Sequence, residues 1–181
     1  MCKTGVKVYI DHNILSARTK QDMPDAEQDA IDKLSELSRQ GALDLRVSEL
    51  HRREFTAAEF PAKADVAEDY GSLPKVTFIE DHHLLGFNTV SDYLGGFTSS
   101  PLIEDDEYSV QLRKHGLDRT DAHHVMLAIR DDCSVFLTCD ERSILRHRKQ
   151  IEQAFPSIRL LKPTELVAEL SSGSCQGCSA P

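Results

Sequence analysis

Apolar positions recur along the chain with two periods, and the alternation between the periods outlines the elements. VKVYI (6–10) is a short apolar run that predicts a buried strand ending at Asp11. Pro24 then opens an amphipathic helix, DAEQDAIDKLSELSRQ, with Ala26, Ala30, Leu34 and Leu37 along one face and Gly41 as its C-terminal stop. LDLRVS (43–48) predicts a second strand, followed by a helical stretch from Glu49 that Pro61 interrupts and that continues to about Tyr70. KVTFIE (75–80) predicts a third strand. From Asp81 to about Pro101 the text turns to Gly, Ser and Thr with isolated aromatics, the composition of an inserted loop. EDDEYSVQLRKHG predicts a helix with acids at its start and bases near its end, and TDAHHVMLAIRDD another, with Thr120 as its N-cap. CSVFLT (133–138) is uniformly apolar and predicts a central strand. ERSILRHRKQIEQAF predicts a helix, IRLLK (158–162) a fifth strand, and Thr164 begins a short last helix.

Strands alternating with helices predict an α/β fold: a three-layer α/β/α sandwich around a five-stranded, mostly parallel sheet. At 181 residues the chain predicts one domain. We place it at 1–165 with an insertion at about 81–104, and 166–181 as a helix end and a flexible C-terminal tail. There is no internal repeat.

Composition narrows the class. The chain is 40% hydrophobic and 28% charged, as in globular proteins. No apolar run approaches the ~18 residues of a membrane span, and the N-terminal run lacks the small-residue cleavage pattern of a secretory signal. Five scattered cysteines, Cys2, Cys133, Cys139, Cys175 and Cys178, fit a reducing cytoplasm better than a disulfide framework. Cys175 and Cys178 form a C-x-x-C without the partner pair that a zinc site needs. The net charge of −9 opposes nonspecific nucleic-acid binding, unless the acids gather in a metal site and the bases in a local patch.

The acids do fall in a pattern. Ligands of open parallel sheets bind beyond the C-terminal ends of the strands, where strand order reverses. Asp11 follows the first strand directly, and Asp140 lies two residues past the apolar core of the fourth. Asp121 sits on the first turn of the helix leading into that strand, and Glu54 lies six residues past Ser48. Singly, these read as a turn former, an N-cap, a helix N-terminal charge and a solvated helix residue. If the first and fourth strands are neighbours, they place four carboxylates at one edge, where mutual repulsion favours a divalent cation with hard oxygen ligands, Mg²⁺ or Mn²⁺. Arg52 and Arg53 flank Glu54, while Arg142 and Arg146, with Arg148 and Lys149, follow Asp140; they offer RNA contacts or simply a solvated basic face. The pairs His82–His83 and His123–His124 read either as metal ligands or, for the second, as one ring toward the sheet and one toward solvent.

These residues resemble the motifs of the PIN domain family, metal-dependent ribonucleases that include the toxins of VapBC toxin–antitoxin pairs. The first motif, D-[TS]-N-[VI], reads Asp11, His12, Asn13, Ile14, with His12 replacing the usual hydroxyl residue. The second, a strand ending in Ser with a helical Glu about six residues on, is supplied by VSELHRREF through Ser48 and Glu54; Glu49 competes for the same role. D-A-x-H appears as Asp121, Ala122 and His124, and T-x-D as Thr138 and Asp140. The resemblance covers 6–60 and 117–162. It implies hydrolysis of RNA phosphodiesters by a metal-activated water, with Asp11, Glu54, Asp121 and Asp140 as metal ligands and Asn13 and Thr138 orienting them. It further implies RNA as substrate, an antitoxin protein as a candidate partner, and a homodimer. The competing readings are a PIN-like nucleic-acid-binding or regulatory module without turnover and, from EDHHLL (80–85), a DHH-type phosphoesterase.

Overall fold

The computed structural model describes residues 5–15, 23–48, 50–51, 76–91 and 97–173. The chain runs β1 (Val6–Ile10), α1 (Asp25–Arg39), β2 (Leu43–Ser48), β3 (Val76–Ile79), β4 (Leu84–Ser91), β5 (Phe97–Ile103), α2 (Glu107–Lys114), α3 (Arg119–Arg130), β6 (Val135–Leu137), α4 (Arg148–Ala154), β7 (Arg159–Leu161) and α5 (Pro163–Ser171). Strands β2, β1, β6 and β7 lie side by side in that order, all parallel, and β3 pairs in parallel register with the outer side of β2. The order reverses between β1 and β6. That is the topological switch point, and the crevice beyond it is where such sheets bind ligands.

Period-two alternation gives the sheet two buried faces. Val8, Ile10, Leu45, Val135 and Leu137 meet Ile31 and Leu34 of α1 and Leu166 of α5 on one side. Tyr9, Phe136 and Leu160 meet Leu112 of α2, Val125 and Met126 of α3 and Ile151 of α4 on the other. A strand buried on both faces must be apolar throughout, which is why 6–10 and 135–137 carry no charge besides Lys7 at the rim. Helix α1 stops where expected. Gly41 adopts φ +75°, and the amides of Gly41 and Ala42 return to the carbonyls of Ser38 and Leu37 as a Schellman cap.

Several sequence expectations are corrected. The segment from Asp81 to about Pro101, expected as a loop, carries strands among its described residues: β4 and β5 pair antiparallel, with a register shift between Leu84 and Gly86. Its feet are tied to α3, where Arg119 donates to the Ile103 carbonyl at 2.7 Å and His123 meets Asp81 at 2.8 Å. Helix α3 is capped by Asp118 rather than Thr120, because the Asp118 carboxylate accepts the Asp121 amide at 2.8 Å and leaves Thr120 inside the helix. The helix expected over 141–155 is broken into turns at 141–144, a 3₁₀ turn at Leu145–His147 and α4. The break starts at Asp140, whose carboxylate takes the amides of Arg142 and Ser143 while its carbonyl takes that of Leu145. On α1, Ala26 is exposed and the buried face runs through Ala30, Ile31, Leu34, Ser35 and Ser38. The last helix begins at Pro163, not Thr164. Of the helix expected from Glu49 to about Tyr70 only Leu50 and His51 are described, and both are helical; the tail cysteines and Cys2 lie outside the described residues. Among the described residues no helix is long and apolar enough to cross a membrane.

Candidate functional site

The end of β1 and the end of β6 deliver Asp11 and Thr138 to the switch point. The Asp11 amide donates to the Leu137 carbonyl at 2.9 Å, continuing the ladder one residue past the strand. The buried Thr138 hydroxyl then gives its only proton to Asp11 Oδ2 at 2.7 Å. Both of its lone pairs are used, by Asn13 Nδ2 at 2.9 Å and the Asp140 amide at 3.0 Å. Asn13 Oδ1 accepts the Cys139 amide at 3.2 Å. A hydroxyl with all three bonds made cannot rotate, so Asp11, Asn13, Thr138 and the start of the Asp140 turn form one rigid unit.

Asp121 and Asp140 meet over a residue the sequence reading missed. Ser143 Oγ lies 2.6 Å from Asp121 Oδ2 and 2.7 Å from Asp140 Oδ2. One hydroxyl carries one proton, and two carboxylates compete for it. The split in their acidity follows. Burial pushes the Asp121 carboxyl up, aided by the charges of Asp118 and Asp140 and opposed by the Ser143 hydroxyl and His124. Burial also acts upward on Asp140, but the amide and hydroxyl of Ser143, with the amide and guanidinium of Arg142, outweigh it and hold the group low. The two carboxylates share one hydroxyl proton, and the Arg142 guanidinium is the cation that acts on Asp140. A hydroxyl three residues beyond T-x-D was the available signal, visible only once the turn at 141–144 is known.

Not every expected acid joins this pair. Among the described residues, no group of three or more His, Cys, Asp or Glu side chains is placed to hold a metal ion. Asp11 is buried, at 5% exposure, and Glu54, its competitor Glu49, and Arg52 and Arg53 lie outside the described residues. Arg142 and Arg146 are exposed. The Arg142 guanidinium acts on Asp140 and borders a cleft of about 450 Å³, which is lined also by Pro24, Cys139 and Lys162. Lys162 is paired with Glu141, and Arg148 with Glu152 and Glu165.

The histidine pairs fall differently from expectation. His123 and His124 are both buried, at 0% and 2% exposure, so neither points to solvent. A single helix buries both because it is flanked by two layers: His123 faces Asp81 below the hairpin, and His124 faces Tyr9 of the sheet. His82 is exposed. His12, which departs from the family motif, is half-buried, with its ring 6.2 Å from that of His51.

Comparison with protein-family models, curated proteins and solved structures finds no match for this chain.

Proposed function

We propose that the protein is a PIN-type, metal-dependent endoribonuclease, its fold the five-stranded sandwich of that family. The observation that carries this reading is the meeting of Asp121 and Asp140 over Ser143, with Thr138, two residues before Asp140, holding Asp11. Asp121 and Asp140 would hold Mg²⁺ or Mn²⁺, with Asp11 and Glu54 completing the set. The fit rests on donor chemistry: hard carboxylate oxygens, two of them sharing one hydroxyl proton. When bound, such a cation acidifies a water and offsets charge on an attacked phosphate.

The chain's own groups do the rest. Thr138 and Asn13 keep Asp11 from turning away from the edge. Two backbone amides hold Asp140 Oδ1, which leaves its other oxygen to face Asp121. Arg142, on the rim of the cleft beside Asp140, supplies a cation for the RNA backbone. The reading extends to a cytoplasmic toxin restrained by an antitoxin protein, and a short upstream reading frame encoding a DNA-binding protein would support that extension.

The test compares cleavage of single-stranded RNA with Mn²⁺ by the wild type and by Asp121→Asn. Cleavage lost in the variant supports the reading; equal cleavage by both means a contaminating nuclease and sinks it. A second reading, a PIN-like RNA-binding module without turnover, is favoured by one observation: no three ligands are gathered among the described residues. Mn²⁺ binding without cleavage would select it.

A further inference from the structure

Beneath the acids, on the α3 side of the sheet, lies a chain of buried polar groups that the proposed chemistry does not use. Tyr9, Ser48 and His51 are fully buried, and His124 is 2% exposed. His51 Nε2 lies 2.8 Å from the Ile10 carbonyl, which can only accept, so Nε2 carries the proton and Nδ1 is the acceptor. Nδ1 takes the Ser48 amide at 3.2 Å and faces the Ser48 hydroxyl at 3.1 Å. With the Ser48 proton spent on His51, Ser48 Oγ accepts from the Tyr9 hydroxyl at 2.9 Å. The Tyr9 oxygen in turn accepts from His124 Nδ1 at 2.8 Å. The His51 and His124 rings stand 4.6 Å apart, and burial with the neighbouring His124 and His12 keeps His51 neutral, as the bonding requires.

Every link of this chain touches a segment that carries an acid. The Ile10 carbonyl immediately precedes Asp11. Ser48 ends β2, and His51 stands three residues before Glu54. His124 is one helical turn beyond Asp121. The hydroxyl at the hub is not needed to fill space: the Tyr9 ring already stacks on Phe136, at 5.3 Å between centroids and 12° between planes, and phenylalanine would pack there equally well. A buried hydroxyl linking residues up to 115 positions apart has another consequence, which is to fix β1, the end of β2 and the first turns of α3 against one another.

We infer that Tyr9 is a positioning residue for the acid edge: through Ser48, His51 and His124 its hydroxyl sets the relative placement of the end of β1 with Asp11, the end of β2 with His51, and the first turns of α3 with Asp121. The inference rests on the metal-site reading for its consequence, not for its geometry. Tyr9→Phe removes one oxygen and keeps the ring. Phe136→Leu, which disturbs the same core outside the polar chain, is the control for lost stability.

Two measurements decide it. In EDTA, hydrogen exchange of Tyr9→Phe is expected to quicken together at Asp11–Leu15, at Leu50–His51 and at Asp121–Val125. Quickening confined to β1, or equal in Phe136→Leu, overturns the inference. In calorimetry with Mn²⁺, Tyr9→Phe is expected to bind about 10–100-fold more weakly than the wild type. Phe136→Leu is expected to stay within about threefold even where its melting temperature falls as far. Wild-type affinity in Tyr9→Phe overturns the inference as well. Should the wild type itself bind no Mn²⁺, the metal reading falls and the exchange result alone decides the role of Tyr9.

Discussion

The carboxylate pair over Ser143 makes Asp121→Asn a substitution that should raise stability while removing function. In the wild type, two carboxylate oxygens stand 2.6 and 2.7 Å from one hydroxyl, and only one can receive its proton. An amide at position 121 donates to Ser143 Oγ, which then donates to Asp140, so both contacts become proper hydrogen bonds. A neutral hydrogen bond nets ~1 kcal/mol. Two unit charges about 5 Å apart at an effective dielectric of ~20 repel by roughly 3 kcal/mol, much of it screened at this partly exposed edge. We therefore expect Asp121→Asn to be more stable by about 1–2 kcal/mol in EDTA at neutral pH, a rise of roughly 3–6 °C in melting temperature for a chain of this size.

The gain has a defined pH dependence. Asp121 is held above its usual 3.8, so the stability tied to its proton is fully present below 3.8 and is lost as pH rises through the higher folded value. Asp140, held low, contributes stability above 3.8 that is lost as pH falls through its folded value, and the variant keeps this term. The advantage of Asp121→Asn should therefore be absent below 3.8 and open as pH rises. Adding Mn²⁺ at about 100 times its dissociation constant stabilises the wild type by ~2.7 kcal/mol and should reverse the order of the two proteins. The measurement is thermal unfolding in EDTA and in Mn²⁺ across pH. A variant less stable than the wild type in EDTA, or one that responds to Mn²⁺ equally, would refute the argument.

Two further outcomes follow from named contacts. Ser143→Ala should weaken Mn²⁺ binding about tenfold by calorimetry, while Ser143→Thr, which keeps the hydroxyl, should stay within a few-fold; equal affinity for all three proteins would remove Ser143 from the site. Gly116 adopts φ +104°, and a Cβ there would sit 2.5 Å from His147 Cε1, so Gly116→Ala should lower stability by about 1–3 kcal/mol. A urea midpoint unchanged from the wild type would contradict it.

Much of the architecture is legible in the chain because it is local. Runs such as 6–10 and 43–48 are apolar at the period of a strand, and Pro24 with Gly41 brackets α1. The places of Asp11 and Asp140 also follow from local facts, since each stands just past an apolar run that can only be a strand. The hairpin at 84–103 escaped because its Gly, Ser and Thr residues carry no strong strand period, and antiparallel pairing is a property of two segments together. The helix over 141–155 failed because the Asp140 carboxylate captures the first amides and turns the backbone before α4 begins.

The sequence by itself determined the residue types and their order: apolar strands, acids at their ends, a serine after T-x-D, and histidines beside two of the motifs. Tertiary structure alone decided which of them meet. Ser143 reaches Asp121 across 22 residues, Thr138 reaches Asp11 across 127, and Tyr9 joins His124 across 115. The same decision buried both His123 and His124. The physical reason is that periodicity records how a segment faces a core. A hydrogen bond between distant segments depends instead on strand order and helix placement, and those are settled only when the whole sheet is packed.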